Sequence, residues 1–184
     1  RYSVRIEYVK NRFWRKGNGV SVYAARELLN DTFILLMSDH IFNPKILSSL
    51  MRCEIGGDEC ILCVDVGMRN VFDFEDATKV KINNGMIVDI GKDLEEYDGV
   101  DMGMFLCSSQ IFKVLGENIK KGRYSLTEGV KELAKLGKMK AFCIDNEDLY
   151  WIDIDTPESL KIAENILLLH SSEAYGVQVS HLQR

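Results

Sequence analysis

Acidic side chains stand at two places in the sequence where a predicted β-strand ends. Asp39 follows the apolar run 32–37, and Asp153 and Asp155 lie in a second β-rich stretch that leads into a predicted helix. Because a strand alternates its side chains between two faces, Asp153 and Asp155 are predicted to share one face. Two carboxylates on one face are costly unless they are solvated or bind a cation. The pattern favours Mg²⁺, which takes one or two carboxylates together with substrate phosphates.

Each of these acids also has a purely structural interpretation. Asp39 could cap the turn after its strand, and His40 beside it is more often a hydrogen-bonded turn residue than a ligand. Asp155 or Thr156 could cap the helix that begins at Pro157. The residues alone leave these alternatives open.

A glycine-bearing loop, Lys16-Gly17-Asn18-Gly19-Val20-Ser21, runs directly into another predicted helix. Glycines let a backbone approach a ligand closely, and the free N–H groups at a helix N-terminus attract an anion. The loop lacks the Lys-Ser/Thr pair that would make it a P-loop. An ordinary tight turn is the alternative interpretation.

Composition and charge limit the classes of function. The 184 residues are 46% hydrophobic and 28% charged, which predicts one globular domain. Residues 1–16 carry a local net charge of +5, whereas the whole chain has a net charge of −5. This distribution disfavours a general nucleic-acid surface and favours a single basic, phosphate-attracting edge, with a solvated Lys/Arg-rich loop as the alternative.

Cysteine usage and apolar runs argue against secretion and against membrane insertion of these residues. The five cysteines include a lone pair at C-x-x-C spacing, Cys60 and Cys63, without a second pair at zinc-ligand spacing. We expect buried, reduced cysteines of a cytosolic protein. The longest apolar runs, 33–37 and 166–169, are far shorter than the roughly 18–20 residues of a bilayer span.

The candidate residues must be positioned by predicted strands and helices. These alternate early in the chain, and two later strands form a hairpin. Apolar β-rich runs at 32–37 and 60–66 predict strands buried on both faces. The turn Asn83-Asn84-Gly85 predicts a hairpin of 78–82 with 86–90, one face of which is solvated. The other predicted strands are 4–9, 100–107, 139–144 and 150–154; the predicted helices begin at Val20, Asn43-Pro44, Ser109, Ser125 and Thr156-Pro157.

This order predicts a three-layer α/β domain with a mixed sheet. The domain is expected to span 1–169, and 170–184 is predicted to be a polar, irregular tail or linker.

Taken together, the Gly-Asn-Gly loop, Asp39 and the late Asp-x-Asp-Thr segment resemble the sugar-phosphate nucleotidyltransferase family. The resemblance is greatest to the archaeal-type CTP:inositol-1-phosphate cytidylyltransferases, and it runs from about Lys16 to Leu169. Three further stretches share it: Asp76–Val80, Ile90–Leu94 and Val100–Phe105.

One segment typical of that family has no counterpart in these residues. Members normally open with a strand and a Leu-Ala-Ala-Gly-x-Gly-x-Arg loop that holds the nucleotide triphosphate, followed by a Lys. We therefore expect a fragment that begins after the first strands and helices. A degenerate, non-catalytic relative is the alternative.

The resemblance implies a three-layer Rossmann-like fold with a mixed, mostly parallel sheet and an added antiparallel hairpin. It implies transfer of a cytidylyl group from CTP to an alcohol phosphate, with inositol 1-phosphate favoured as acceptor. The resemblance leaves open phosphocholine or a sugar 1-phosphate as the acceptor, and UTP in place of CTP as the nucleotide.

The resemblance also implies roles for particular residues. Asp39 and Asp155 would hold Mg²⁺, with Asp153 as the alternative ligand, and Lys92 would bind the acceptor phosphate, so Asp39, Asp155 and Lys92 are the expected catalytic residues. Asp101 and Gly103 would line the acceptor pocket. The expected nucleotide-binding residues are Lys16, Gly17, Asn18, Gly19, Ser21 and Ser38.

Partners and location follow from the same resemblance. In this group a membrane-embedded CDP-alcohol phosphotransferase of phospholipid biosynthesis often follows the cytidylyltransferase. The tail from Ser171 to Arg184 could begin such a junction, which would place these residues in the cytoplasm. We consider a homodimer and expect no nucleic-acid partner. The alternative function is that of a non-catalytic module attached to the membrane enzyme.

Overall fold

The computed structural model describes residues 4–68 and 74–174, with side chains described through His170. A 3₁₀ turn, Trp14–Lys16, precedes the first helix. The α-helices are α1 Asn18–Ala24, α2 Pro44–Leu50, α3 Gln110–Lys120, α4 Leu126–Lys135 and α5 Pro157–Ala174. The strands are β1 Phe33–Leu36, β2 His40–Phe42, β3 Cys60–Asp65, β4 Lys79–Asn83, β5 Met86–Gly91, β6 Gly99–Cys107, β7 Met139–Ile144 and β8 Trp151–Asp153.

Six of these strands form the main sheet, in the order β1-β6-β3-β7-β5-β4, and β4 also pairs with β6. The pairings give β1, β3, β4 and β7 one direction and β5 and β6 the other. Four of the six strands in the main sheet therefore share a direction, as predicted, although β3 and β7 are the neighbours that pair in parallel. Strands β2 and β8 form a separate antiparallel pair.

Helices cover both faces of the main sheet, which confirms the predicted three layers. On β3, Cys60 and Leu62 belong to an apolar cluster with residues of α3 and α4. Ile61 and Cys63 belong to a second cluster that includes residues of α2. The two cysteines of the C-x-x-C thus point to opposite faces. All five cysteines have free thiols, and Cys60, Cys63 and Cys107 are buried as predicted, whereas Cys53 is half-buried and Cys143 is exposed.

Local signals in the sequence form the predicted turns and caps. The side chain of Asn43 accepts a hydrogen bond from the Lys45 N–H at the start of α2. Ser125 and Glu128 form a reciprocal capping box on α4. At the hairpin turn both Asn84 and Gly85 have positive φ, 49° and 76°, as a two-residue hairpin turn requires.

Two predicted strands near the start of the chain differ from expectation. Residues 4–9 are exposed and form no strand in the described part of the chain; residues 1–3 lie outside the description. Strand β1 was predicted to be buried on both faces, yet it is a half-buried edge strand because its described partner is β6 alone.

Helix lengths also differ from the prediction. Helix α1 begins at Asn18 rather than at the predicted Val20 and ends at Ala24, and α3 extends from Gln110 to Lys120. Helix α5 continues to Ala174, so residues 170–174 are helical rather than irregular, since neither Gly nor Pro interrupts them. The rest of the predicted tail, 175–184, lies outside the described residues.

Candidate active site

The pairing of β2 with β8 brings Asp39, His40 and Asp153 together. His40 lies directly opposite Asp153, and the Ile154 N–H donates to the Asp39 carbonyl at 2.9 Å. One nitrogen or oxygen atom from each of the three side chains lies within 4.8 Å of the others. The short sheet thus carries a group of two carboxylates and one imidazole.

The His40 ring is held in one orientation by strand β6. Its Nδ1 lies 2.9 Å from the Met102 carbonyl oxygen, which can only accept, so Nδ1 carries the proton. The opposite nitrogen, Nε2, lies 3.4 Å from Asp153 Oδ2 and 3.9 Å from Asp39 Oδ1. Nε2 therefore faces two carboxylates, an arrangement that suits a cation shared among the three groups.

A bend in β6 makes room for this ring. Gly103 has φ 68°, and a Cβ at this position would lie 2.4 Å from His40 Nδ1. The Gly103 N–H donates to Asp101 Oδ1 at 2.7 Å, which stabilises the bend. Burial raises the pKa of the Asp101 carboxyl to about 6, although this hydrogen bond and the nearby His40 act in the opposite direction.

The Asp153 carboxylate has the properties of an unsatisfied ligand. Burial raises its pKa, His40 lowers it, and Asp155 and Asp39 raise it further. Its Oδ1 is buried and has no hydrogen-bond partner among the described residues. Two carboxylates fit the oxygen ligands that Mg²⁺ prefers, and the imidazole adds a nitrogen donor. The residues present therefore fit a divalent cation.

A cavity of about 660 Å³ opens beside this group. Of the three-residue group, His40 and Asp153 line it, whereas Asp39 is not among its lining residues; Asp155, Asp101 and Gly103 line it as well. Lys92, in the turn after β5, also lines the cavity, and its Nζ lies 2.5 Å from Asp76 Oδ1. The cavity thus places a cationic side chain and an acidic group around one space.

Several predicted site residues meet at this cavity. Asn18, Lys92, Asp101, Gly103 and Asp155 line it. Asp155 is exposed and lies outside the three-residue group, so the alternative ligand Asp153, rather than Asp155, joins Asp39 and His40. Asp155 follows the end of β8, and its carboxyl lies close enough to Asp153 to contribute to the raised pKa of that group.

The other predicted nucleotide-binding residues lie outside the lining of this cavity. Lys16, Gly17, Gly19, Ser21 and Ser38 are not among the described residues that line the cavity. Lys16 Nζ lies 3.4 Å from Tyr124 Oη, and Ser21 Oγ accepts a hydrogen bond from the Asn11 side chain.

The Gly-Asn-Gly loop docks on the start of α4. A Cβ on either Gly17 or Gly19 would lie 2.7 Å from the Tyr124 carbonyl oxygen, so both glycines permit a close approach of two backbones. Asn18 Oδ1 accepts a hydrogen bond from the Leu126 N–H at 2.8 Å. The loop therefore has a structural role that places Asn18 and the N-terminus of α4 at the cavity.

Two residues near the site were missed by sequence reasoning. Asp65 ends β3 and is 5% exposed, and its Oδ2 accepts a hydrogen bond from Trp151 Nε1 at 2.9 Å. Trp151 is 6% exposed and packs against His40, with ring centroids 5.8 Å apart. A carboxylate at the end of an otherwise apolar strand was the signal that could have indicated Asp65.

The main sheet and the helices on both of its faces are those of a nucleotidyltransferase fold, as the sequence predicted. The structure of the inositol-1-phosphate CTP transferase from T. maritima superposes with a TM-score of 0.73 and 26% identity, over 84% of this chain and 62% of that one. A putative glucose-1-phosphate thymidylyltransferase from Bacillus anthracis shares the fold alone, with a TM-score of 0.62 and 17% identity over 89% of this chain and 62% of that one.

Curated relatives confirm the predicted resemblance to the sugar-phosphate nucleotidyltransferases. The chain is 36% identical over 164 residues to the bifunctional IPC transferase and DIPP synthase of Rubrobacter xylanophilus, covering 89% of this chain and 36% of the relative. It is 35% identical over 179 residues to the protein of the same name from Thermococcus kodakarensis, covering 96% and 38%. The chain thus spans little more than a third of the length of these relatives. No family model matches the sequence.

Among the described residues, no helix is both long enough and apolar enough to cross a membrane.

Proposed function

We propose that this chain is a cytidylyltransferase domain that transfers the cytidylyl group of CTP to inositol 1-phosphate. The products are CDP-inositol and pyrophosphate. One observation carries the proposal: a single cavity brings the acidic group at His40 and Asp153 together with the cationic side chain of Lys92. The names of the relatives and of the T. maritima structure support the choice of nucleotide and acceptor.

The proposed chemistry is an in-line displacement at phosphorus. A phosphate oxygen of the acceptor forms a bond to the α-phosphorus of CTP, the bond from that phosphorus to the bridging oxygen breaks, and pyrophosphate leaves. The attacking oxygen is already ionised near neutral pH, so no general base is needed. The protein therefore acts mainly by positioning two anions and by offsetting their repulsion.

Residues of the cavity divide these tasks. Lys92 Nζ is placed to contact the acceptor phosphate once that phosphate competes with Asp76 for it. Asp101, which lines the same cavity, is placed to accept hydrogen bonds from polyol hydroxyl groups. Asn18 holds the start of α4 at the cavity, where we assign the nucleotide.

The residues proposed to hold Mg²⁺ are Asp39 and Asp153, with His40 as the third donor and Asp155 beside them. A bound Mg²⁺ would supply Lewis-acid neutralisation of the phosphate oxygens. His40 keeps Nε2 directed at the two carboxylates through its bond to the Met102 carbonyl, and Asp153 presents an oxygen that no described protein group satisfies.

A cytoplasmic location is also part of the proposal. Cys60, Cys63 and Cys107 are buried with free thiols, which is typical of proteins kept in a reducing compartment. We assign residues 1–169 to the transferase domain.

The full natural gene product provides the test. We expect it to release pyrophosphate from CTP only when an alcohol phosphate is present, with inositol 1-phosphate giving the highest kcat/KM among the acceptors. Pyrophosphate release is followed with Mg²⁺ present and after its removal by chelation, and the CDP-alcohol is identified by mass spectrometry. Asp153→Asn serves as the inactive reference.

Each alternative gives a distinct result. Turnover with phosphocholine or a sugar 1-phosphate but not with inositol 1-phosphate would overturn the acceptor and keep the reaction class. Equal turnover with UTP would overturn the choice of nucleotide. No turnover with any pair, from a folded protein, would support the non-catalytic module instead.

A further inference from the structure

We propose that the hydrogen bond between Asp65 and Trp151 positions the group formed by Asp39, His40 and Asp153, so that Asp65 is a positioning residue. The inference rests on the metal-binding role assigned to that group under the proposed function. Neither Asp65 nor Trp151 supplies a ligand atom to the group, so both act through His40 and Asp153.

The bond joins the two sheets of the molecule. Asp65 is the last residue of β3 in the main sheet, and Trp151 is the first residue of β8 in the small sheet. Asp65 Oδ2 accepts from Trp151 Nε1 at 2.9 Å, and Asp65 Oδ1 accepts from the Met68 N–H at 2.8 Å. With both oxygens occupied in a buried setting, the carboxylate has one stable orientation.

Trp151 transmits this orientation to the ligand group along two routes. Its ring packs on His40, with centroids 5.8 Å apart and planes inclined by 44°, so it limits rotation of the imidazole. Trp151 and Asp153 are two residues apart on β8 and share a face of the strand. A shift of the indole therefore moves both the ring surface behind His40 and the strand that presents Asp153.

The main sheet also holds His40 from the other side. The Met102 carbonyl on β6 fixes Nδ1, and β6 pairs with β3 through Val100 opposite Asp65. The imidazole is thus held between two neighbouring strands of the main sheet, directly by β6 and through Trp151 by β3. Partners of this kind around a metal ligand typically contribute about 10–100-fold to metal affinity.

Two substitutions remove the bond from opposite sides. Trp151→Phe keeps an aromatic ring against His40 but loses the indole N–H. Asp65→Asn keeps the size of the side chain, but its single carbonyl oxygen cannot accept from both Met68 and Trp151 as a carboxylate does. The matched controls are Trp14→Phe, at a tryptophan that is 65% exposed, and Asp98→Asn, at a carboxylate that accepts a backbone N–H from Ile82 on the hairpin.

Mn²⁺ binding, measured by calorimetry, is the main readout. We expect Trp151→Phe and Asp65→Asn each to raise the Kd for Mn²⁺ about tenfold, and the double variant to add little, because both changes break one interaction. The two controls should leave the Kd unchanged. In the transfer reaction, the metal concentration for half-maximal rate should rise similarly, while kcat at saturating metal recovers.

A spectroscopic signature separates positioning from a general loss of stability. The chain has two tryptophans, so in a Trp14→Phe background the emission comes from Trp151. Adding Asp65→Asn should lower the fluorescence anisotropy of Trp151 below the melting temperature, because the indole gains freedom.

The outcomes are distinguishable. Wild-type protein that binds Mn²⁺, with both variants binding equally well, would overturn the positioning role even if their melting temperatures fall. Wild-type protein that binds Mn²⁺ but transfers no cytidylyl group would overturn the proposed function. In that case the Mn²⁺ affinities of the two variants would still decide this inference. Wild-type protein that binds no Mn²⁺ would overturn this inference and the metal assignment, while pyrophosphate release would still decide the proposed function.

Discussion

Lys92 illustrates how one side chain can face a cavity and still be partly neutralised. Its side chain is 52% exposed, and its ammonium group is paired with Asp76, whose side chain is 63% exposed. An ion pair so accessible to water contributes roughly 0–1 kcal/mol to folding. The pair therefore keeps the ammonium at the cavity and is weak enough for a more highly charged phosphate to compete with Asp76.

Replacing Lys92 by alanine tests this assignment. We expect Lys92→Ala to raise the KM for the acceptor and to lower kcat/KM about ten- to a hundredfold, the equivalent of ~1.5–3 kcal/mol for a lost charge-assisted hydrogen bond. The KM for CTP and the melting temperature should change little. Steady-state kinetics with each substrate varied, together with a melting curve, give the measurements.

The matched control is Lys131→Ala, which removes an exposed lysine paired with Asp89 outside the cavity. It should leave both KM values unchanged. A Lys92→Ala protein with normal acceptor kinetics would make Lys92 a solvated surface residue, and one with a much lower melting temperature would make it structural.

At the scale of elements, the site depends on a bend in β6 meeting the start of β2. Gly103 adopts a left-handed conformation, and the space that a Cβ would fill is taken by the His40 ring. The amide of Gly103 and the carbonyl of Met102 point to Asp101 and to His40, respectively. One irregular strand thus serves as the support for a residue that is 62 positions away in the sequence.

Gly103→Ala should both strain the backbone and displace His40. We expect a loss of stability of about 1–3 kcal/mol, since a non-glycine residue in this region of φ is unfavourable and the new Cβ clashes with the imidazole. Mn²⁺ affinity should fall together with stability. Chemical denaturation and calorimetric titration are the two measurements.

Gly122→Ala separates strain from displacement. Gly122 has a similar φ, 77°, but a Cβ there would meet nothing within 4 Å. This variant should lose some stability through backbone strain and keep its Mn²⁺ affinity. Equal metal affinities for the two variants would contradict the role given to Gly103.

For the molecule as a whole, the partly buried carboxyl of Asp101 links stability to pH. Burial raises its pKa from 3.8 to about 6, so the folded protein binds more protons than the unfolded chain between these two values. The contribution of Asp101 to the free energy of unfolding is therefore highest below pH 4 and decreases as the pH rises towards 6. Above that pH the full cost of a buried charge is present.

Asp101→Asn should raise the melting temperature near pH 8. Asparagine keeps an oxygen that accepts from the Gly103 N–H and carries no charge, so about 2 kcal/mol should be regained at neutral pH after allowance for the partial exposure of this side chain. For a chain of this size the gain corresponds to roughly 4–8 °C. Melting curves in a chelator, from pH 5 to pH 8, should show the gain growing with pH.

The same variant should bind the acceptor less well, because an amide replaces the carboxylate proposed to hold its hydroxyl groups. A gain in stability that is independent of pH would show that Asp101 is not the titrating group.

Sequence alone predicted the features that are decided within a few residues. Asn43-Pro44, the Ser125 capping box and the Asn84-Gly85 turn all formed as expected, because their hydrogen bonds join groups at most four positions apart. The alternation of side chains along a strand likewise accounts for Cys60 and Cys63 facing opposite clusters. The fold class followed from the order of such signals.

Tertiary structure decided the features that depend on how distant segments pair. Asp153 rather than Asp155 joins the ligand group because the register of β2 with β8 sets His40 opposite Asp153. The contact of Trp151 with Asp65 spans 86 positions, and that of His40 with Met102 spans 62. No local pattern encodes a contact between segments so far apart, because it arises only when the strands take their places in the sheets.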